Sequence, residues 1–149
     1  MKKFKKLIFM SKMFVVVLFF NVIIQSLFAD TLVVVAGENF SVNTLTKEEI
    51  RSIYVAKKFH VGGQKVIPIN LGIDNPLRLK FESEVVNVDR DILSRIWLQA
   101  HFLGYKPPKT FKTQEMVAEF LSKVDNSIGY VDESMAQKYH LKILFREHK

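Results

Sequence analysis

The sequence predicts an α/β domain with a small, largely parallel β-sheet flanked by helices. Between residues 32 and 145, apolar runs typical of strands alternate with segments in which apolar residues recur at helical spacing, and this alternation is characteristic of α/β proteins. The first run, at residues 32–36, is apolar at every position, as expected for a strand covered on both faces in a parallel sheet. The roughly 120 residues after an N-terminal leader suit one compact domain.

The first 29 residues have the organisation of a secretory signal peptide. A head with five lysines and no acidic residue precedes a segment at 13–24 that is apolar except for Asn21, and Ala29 offers a small residue before Asp30. Such a segment spans about 18 Å as a helix, well short of the roughly 30 Å hydrocarbon core of a bilayer. We therefore predict a signal peptide at 1–29, a domain at 30–149 and a periplasmic location. An uncleaved membrane anchor is the alternative.

The basic character of the chain belongs mostly to this leader. The whole sequence has 22 basic and 15 acidic residues, a net charge of +7. Subtracting the five leader lysines leaves 17 basic and 15 acidic residues, or +2, which does not indicate a nucleic-acid partner. The sequence contains no cysteine, so it has no disulfide, no thiolate metal site and no lipidated cysteine after the leader.

Two motifs predict the elements that follow the first strand. Thr46 and Glu49 match a capping box, which begins a helix at 47–55. A Gly-Gly turn then leads into a second strand at 65–70. Pro68 removes a hydrogen-bond donor from this strand, so we expect the strand at an edge of the sheet or with an early end.

Capping residues mark the starts of three further helices. They are the Asp74-Asn75-Pro76 sequence, Asp89 and Thr113. The apolar positions expected to face the core are Leu77, Phe81 and Val85 in the first helix, Ile92, Ile96, Trp97, Ala100 and Leu103 in the second, and Met116, Val117, Phe120 and Leu121 in the third. A Gly-Tyr-Lys-Pro-Pro sequence stops the second helix. Strands at 128–131 and 141–145, with a helix at 133–139 between them, complete the domain.

The sequence lacks the residue patterns of catalytic sites. None of its histidines has metal-ligand spacing, and neither a Gly-rich phosphate loop nor a Gly-x-Ser-x-Gly motif occurs. The histidines are His60, His101, His140 and His148. We therefore expect no catalytic residue, no metal and no cofactor, and we expect that the protein is not an enzyme.

Two loops that follow predicted strands are candidate anion sites. In open α/β sheets, ligands bind at the carboxyl ends of strands, and helix N-termini there offer free N–H groups. The first loop contains Asn70 and Asn75 and is followed by Arg78, which could add a fork of donors. The second loop contains Ser41 and Thr44. The structural alternative is that Asp74 or Asn75 caps a helix, that Arg78 is solvated, and that the hydroxyls only help to form a loop.

Several segments follow one another in a familiar order. They are residues 45–57, residues 63–69, Trp97, residues 102–104, Pro107-Pro108 and residues 127–131. This order resembles that of the substrate-binding proteins of phosphate ABC transporters, particularly their small single-domain periplasmic relatives. The resemblance implies a single lobe of the type 2 periplasmic-binding-protein fold that binds phosphate or another oxyanion and is linked to phosphate transport. We interpret the family-like residues Trp97, Gly104 and Gly129 as structural.

The sequence departs from this family at the ligand loops. In the phosphate binders, the loop after the second strand carries an arginine and a Ser-Gly-Thr turn, whereas residues 70–77 contain neither. A Gly/Ser-rich loop after the first strand is also missing. These differences support an alternative function, a periplasmic protein-interaction module that binds no small molecule. Its partner would be a second copy of the chain or an envelope protein.

Overall fold

The computed structural model describes residues 3–6 and 31–147. Residues 3–6 form a helical turn, while the apolar segment and the cleavage site of the predicted signal peptide lie outside the described residues. None of the described helices is both long and apolar enough to cross a bilayer. The signal peptide at 1–29 and the start of the domain at residue 30 stay predictions.

Strands and helices alternate along the described chain from residue 31 onwards. The strands are β1 (Leu32–Ala36), β2 (His60–Val61), β3 (Gln64–Lys65), β4 (Ile67–Leu71), β5 (Lys109–Phe111), β6 (Ser127–Asp132) and β7 (Lys142–Arg146). The helices are α1 (Lys47–Tyr54), α2 (Pro76–Phe81), α3 (Arg90–Phe102), α4 (Gln114–Lys123) and α5 (Glu133–Lys138). A π-helix (Glu82–Val86) continues α2 directly. The predicted α/β class is confirmed.

Five of the strands form one mixed sheet in the order β5-β4-β6-β1-β7, and β2 and β3 form a separate hairpin. β4 pairs in parallel with β5 and with β6, whereas β1 pairs antiparallel with β6 and with β7. The four strands other than β1 therefore run in one direction. The sheet is largely parallel, as predicted.

β1 is buried at every residue, as its unbroken apolar sequence predicts. The expectation that it pairs in parallel is wrong, because both of its neighbours run against it. An apolar run indicates that both faces of a strand are covered, but it carries no information about the direction of the neighbouring strands. Helices α4 and α5 both contact β1 and contribute to its burial.

β4 lies inside the sheet, so the edge position suggested by Pro68 is wrong. Pro68 is the second residue of β4, in the part that pairs with β6 alone, and pairing with β5 begins at Ile69. The missing N–H therefore falls before the part of the strand that pairs with β5. β5 was not predicted, because Lys109-Thr110-Phe111 has neither an apolar run nor alternation.

Side-chain caps form at the predicted helix starts. Thr46 and Glu49 make the reciprocal capping box of α1. The side chains of Asn75, Asp89 and Thr113 each accept a backbone N–H at the starts of α2, α3 and α4. Local capping chemistry therefore fixes where these helices begin.

The apolar stripe predicted for α3 is partly wrong. Leu93, Trp97 and Ala100 are buried, but Ile92 and Leu103 are exposed. The buried residues are spaced four and three apart, which defines one narrow face. Ile92 and Leu103 lie beside that face, where the described residues leave the helix uncovered.

Two glycines allow α4 to approach the sheet closely. A Cβ atom on Gly129 of β6 would lie 3.1 Å from Cγ1 of Val117 and 3.2 Å from Cδ1 of Leu121. A Cβ atom on Gly37, directly after β1, would lie 2.5 Å from the backbone carbonyl oxygen of Leu121. The structural role predicted for Gly129 is confirmed, and Gly37 has the tighter contact.

We expect Gly37→Ala to lower the free energy of unfolding by about 1–3 kcal/mol, because a backbone carbonyl must move to admit the methyl group. Gly72→Ala is the matched control, since no atom lies within 4 Å of its Cβ position, and its effect should stay within about 0.5 kcal/mol. Urea unfolding followed by circular dichroism measures both. Equal stability of the two variants would contradict the close approach of α4.

Candidate functional site

A cavity of about 300 Å³ opens at the carboxyl end of β4. Its walls come from the loop after β4, from α2 and the π-helix, from α3, and from the segment around β5. Its polar lining residues are Tyr54, Asn70, Arg78, Glu82, Arg90, Ser94 and Thr110. The cavity therefore lies at the sheet edge where ligands bind in open α/β folds.

A buried carboxylate between two arginines dominates the polar wall. Glu82 is the first residue of the π-helix, and its side chain is 8% exposed. Its Oε1 accepts from Nε of Arg78 at 2.7 Å, and its Oε2 accepts from Nε of Arg90 at 2.5 Å. Charge-assisted hydrogen bonds of this kind are strong and directional. The cluster carries two positive charges and one negative charge, a net charge of +1.

The same arginines hold the loop that follows β4. Nη1 of Arg78 donates to the carbonyl oxygen of Leu71 at 2.8 Å, and Nη2 of Arg90 donates to that of Ile73 at 2.7 Å. The remaining Nη atom of each guanidinium has no hydrogen-bond partner among residues 3–6 and 31–147. The cluster therefore orders the loop and keeps spare donors next to the cavity.

Asn70 is positioned by a buried tyrosine. The hydroxyl of Tyr130 donates to Oδ1 of Asn70 at 3.0 Å and accepts the backbone N–H of Leu71 at 3.2 Å. Burial raises the pKa of Tyr130 well above its usual range, so its hydroxyl is neutral and can donate. Because Oδ1 accepts this bond, Nδ2 of Asn70 is the amide atom left for another partner, and it makes no hydrogen bond to any described residue.

The backbone donors predicted near Asn75 are used within the loop itself. The N–H of Asn75 donates to the carbonyl oxygen of Gly72 at 2.9 Å, and that of Leu77 donates to Oδ1 of Asn75 at 2.9 Å. Pro76 has no N–H. Asn75 is the helix cap that the structural alternative described, and it does not line the cavity.

The second predicted loop is not part of this cavity. Oγ of Ser41 donates to the carbonyl oxygen of Val61 at 3.1 Å, which ties the loop to the β2–β3 hairpin. Thr44 is exposed, and neither residue lines the cavity. Of the five predicted site residues, the structure brings Asn70 and Arg78 together and leaves Asn75, Ser41 and Thr44 apart from them.

Sequence reasoning missed the other polar lining residues. Glu82 lies four residues after Arg78, a spacing that places both side chains on one helix face, so this pair could have been found. Arg90 and Ser94 lie four residues apart on α3, and Thr110 lies in β5. No local pattern joins them to Asn70 or Arg78. In the part of the chain that the structure describes, no group of three histidine or acidic side chains could hold a metal ion.

The comparison with known sequences gives no assignment, since no family model and no curated protein matches this chain. Solved structures do match. An ABC-type phosphate transport receptor from Vibrio cholerae superposes with a TM-score of 0.60 at 16% identity. PstS from Borrelia burgdorferi gives 0.61 at 18%. A putative phosphate ABC transporter substrate-binding protein with bound phosphate from Clostridium perfringens gives 0.63 at 17%.

Each match covers 77% of this chain but only 44–46% of the solved chain. The chain therefore spans less than half the length of these proteins. The matched proteins are described as a transport receptor and a substrate-binding protein, not as enzymes. At this level of identity the likeness concerns the fold. The chain is similar in fold to part of the phosphate-binding proteins of ABC transporters.

Proposed function

We propose that this protein is a periplasmic solute-binding-like domain that binds phosphate or a similar small oxyanion in the cavity at the end of β4. The observation that carries the proposal is the net charge of +1 on the Arg78–Glu82–Arg90 cluster. The same cavity is lined by Asn70, whose amide nitrogen has no hydrogen-bond partner among the described residues. The hydroxyl groups of Ser94 and Thr110 line the same cavity. A small oxyanion needs several convergent donors of this kind.

In this proposal Arg90, Arg78 and Asn70 bind the anion, and Asn75 serves as a helix cap. Ser41 and Thr44 have no part in this site. The similarity to phosphate-binding proteins supports the ligand class, and the predicted leader at 1–29 supports export to the periplasm. Since a cavity on a single lobe stays open to solvent, the anion remains partly hydrated and screened. We therefore expect weak affinity unless a second copy or an envelope protein closes the cavity.

Thermal unfolding at low salt with phosphate, sulfate, arsenate or chloride tests this function. A ligand at a hundred times its Kd stabilises a protein by about 2.7 kcal/mol, which raises Tm by several degrees in a domain of this size. We expect a shift with phosphate but not with chloride, and we expect Arg90→Ala to abolish it. Arg95→Ala is the matched control, because Arg95 is exposed on the same helix and does not line the cavity.

A second function, the protein-interaction module, is supported by the exposed end of α3. Leu98, Phe102 and Leu103 are 57%, 81% and 77% exposed, and large exposed apolar side chains that cluster often mark interaction surfaces. The thermal measurement separates the two functions. If no anion at millimolar concentration changes Tm, and Tm instead rises with protein concentration, oxyanion binding is wrong and self-association is supported.

A further inference from the structure

A second cavity, of about 390 Å³, lies on another side of Trp97. It is bounded by the end of α1, the β2–β3 hairpin, the start of β4 and the segment that connects α3 to β5. Its wall is largely apolar and includes Phe59 and Tyr105, whose rings stack with centroids 3.7 Å apart. Its volume is within the range of small-molecule sites.

The rim of this cavity carries four lysines, and none of its lining residues in the described chain is acidic. Lys58 is paired with Glu49 at 2.8 Å, and the ammonium group of Lys109 lies 4.9 Å from the ring centre of Phe120. Lys65 and Lys106 make no ion pair or side-chain hydrogen bond with the described residues. An apolar cavity therefore has a rim with uncompensated positive charge.

We propose that this cavity binds a small amphipathic anion. The apolar body of the ligand, aliphatic or aromatic, contacts Trp97, Phe59 and Tyr105, and its carboxylate, sulfonate or phosphate lies at the rim beside Lys65 and Lys106. An apolar wall with a few charged groups at its mouth is the general design of small-molecule sites. Burial of the apolar body supplies affinity, and the lysines select for negative charge.

This site is distinct from the proposed oxyanion site. Each cavity has its own set of charged residues, and the two share Trp97 and Pro107 in their walls. Inorganic phosphate has no apolar body, so its binding should not change when Lys65 or Lys106 is substituted. The binding of an amphipathic anion in the second cavity should in turn be unaffected by Arg90→Ala.

Fluorescence titration with octanoate tests the proposal. Trp97 is the single tryptophan of the sequence, so its emission reports on the cavity wall. We expect a saturable change in emission with octanoate, and a much weaker one with the uncharged analogue 1-octanol. Added salt should weaken binding because the lysines are at the surface. The double variant Lys65→Ala/Lys106→Ala should raise the Kd for octanoate about tenfold.

The matched control is Lys57→Ala/Lys123→Ala, which removes the same charge from exposed lysines outside the cavity. It should leave the Kd for octanoate within about twofold of the wild-type value. No saturable change with octanoate would overturn the proposal, as would equal binding of octanoate and 1-octanol. A response that persists in Lys65→Ala/Lys106→Ala but is lost in Arg90→Ala would also overturn it, because octanoate would then occupy the first cavity.

Discussion

Glu82→Ala is expected to lower the free energy of unfolding by about 3–5 kcal/mol, because it leaves two arginines without the buried carboxylate that neutralises them. The loss of the carboxylate affects Arg78 most strongly, since its side chain is only 15% exposed and stays in the cavity wall after the substitution. The loop at Leu71 and Ile73, which both guanidinium groups hold, should loosen as well. Domains of this kind have a total stability of about 5–15 kcal/mol, so the loss is a large fraction of it.

Equilibrium unfolding in urea measures this effect. The matched control is Glu119→Ala, because Glu119 also forms an ion pair with a basic residue, Lys123, but does so at the surface. Exposed pairs of this type contribute little to stability, because solvent screens them. If Glu82→Ala is no more destabilising than Glu119→Ala, the buried cluster does not stabilise the fold.

Glu82→Gln connects the cluster to the proposed function. Glutamine keeps the shape of the side chain but removes the negative charge, so the net charge of the cluster rises from +1 to +2. A bound oxyanion can then supply the missing charge. We expect phosphate to raise Tm more in this variant than in the wild-type protein, while chloride leaves both unchanged. A smaller phosphate effect in Glu82→Gln would contradict anion binding at these arginines.

Local chemistry in the sequence predicts where elements start and end, but not how they pair. The capping box of Thr46 and Glu49 and the caps at Asp89 and Thr113 fix helix starts within a few residues, so the sequence alone is sufficient there. The partners of β1 come from the far end of the domain. Their direction depends on long-range packing, which an apolar run of five residues does not encode.

The candidate site is predictable only in part for the same reason. Asn70 and Arg78 follow a strand and begin a helix, and this local context correctly places them at the sheet edge. Arg90 lies beyond the break at Asn87, whose left-handed backbone ends the π-helix. The approach of Arg90 to Glu82 therefore depends on the angle between the π-helix and α3. Neither the π-helix nor that angle has a signature in the sequence.

Phe81→Ala should be as destabilising as Glu82→Ala, for a reason that involves packing alone. Phe81 is fully buried, stacks on Tyr130 with ring centroids 3.9 Å apart, and meets the edge of Tyr54 at 4.7 Å. Truncating a buried phenylalanine costs about 3–5 kcal/mol, because the lost contacts and the resulting cavity both destabilise the fold. Urea unfolding tests this by comparing the free energies of unfolding of Phe81→Ala and Phe102→Ala. Phe102 is 81% exposed, so its truncation should change stability by less than about 0.5 kcal/mol.

The consequence of Phe81→Ala should extend to the candidate site. The hydroxyl of Tyr130 donates to Asn70, and the ring of Tyr130 stacks on Phe81. Because loss of the Phe81 ring removes this packing against Tyr130, Asn70 should be freer to rotate. We therefore expect the phosphate-induced rise in Tm to shrink in Phe81→Ala but to persist in Phe81→Leu, which keeps much of the buried volume. An undiminished phosphate effect in a destabilised Phe81→Ala protein would contradict a role for the Phe81–Tyr130 contact in positioning Asn70 for the anion.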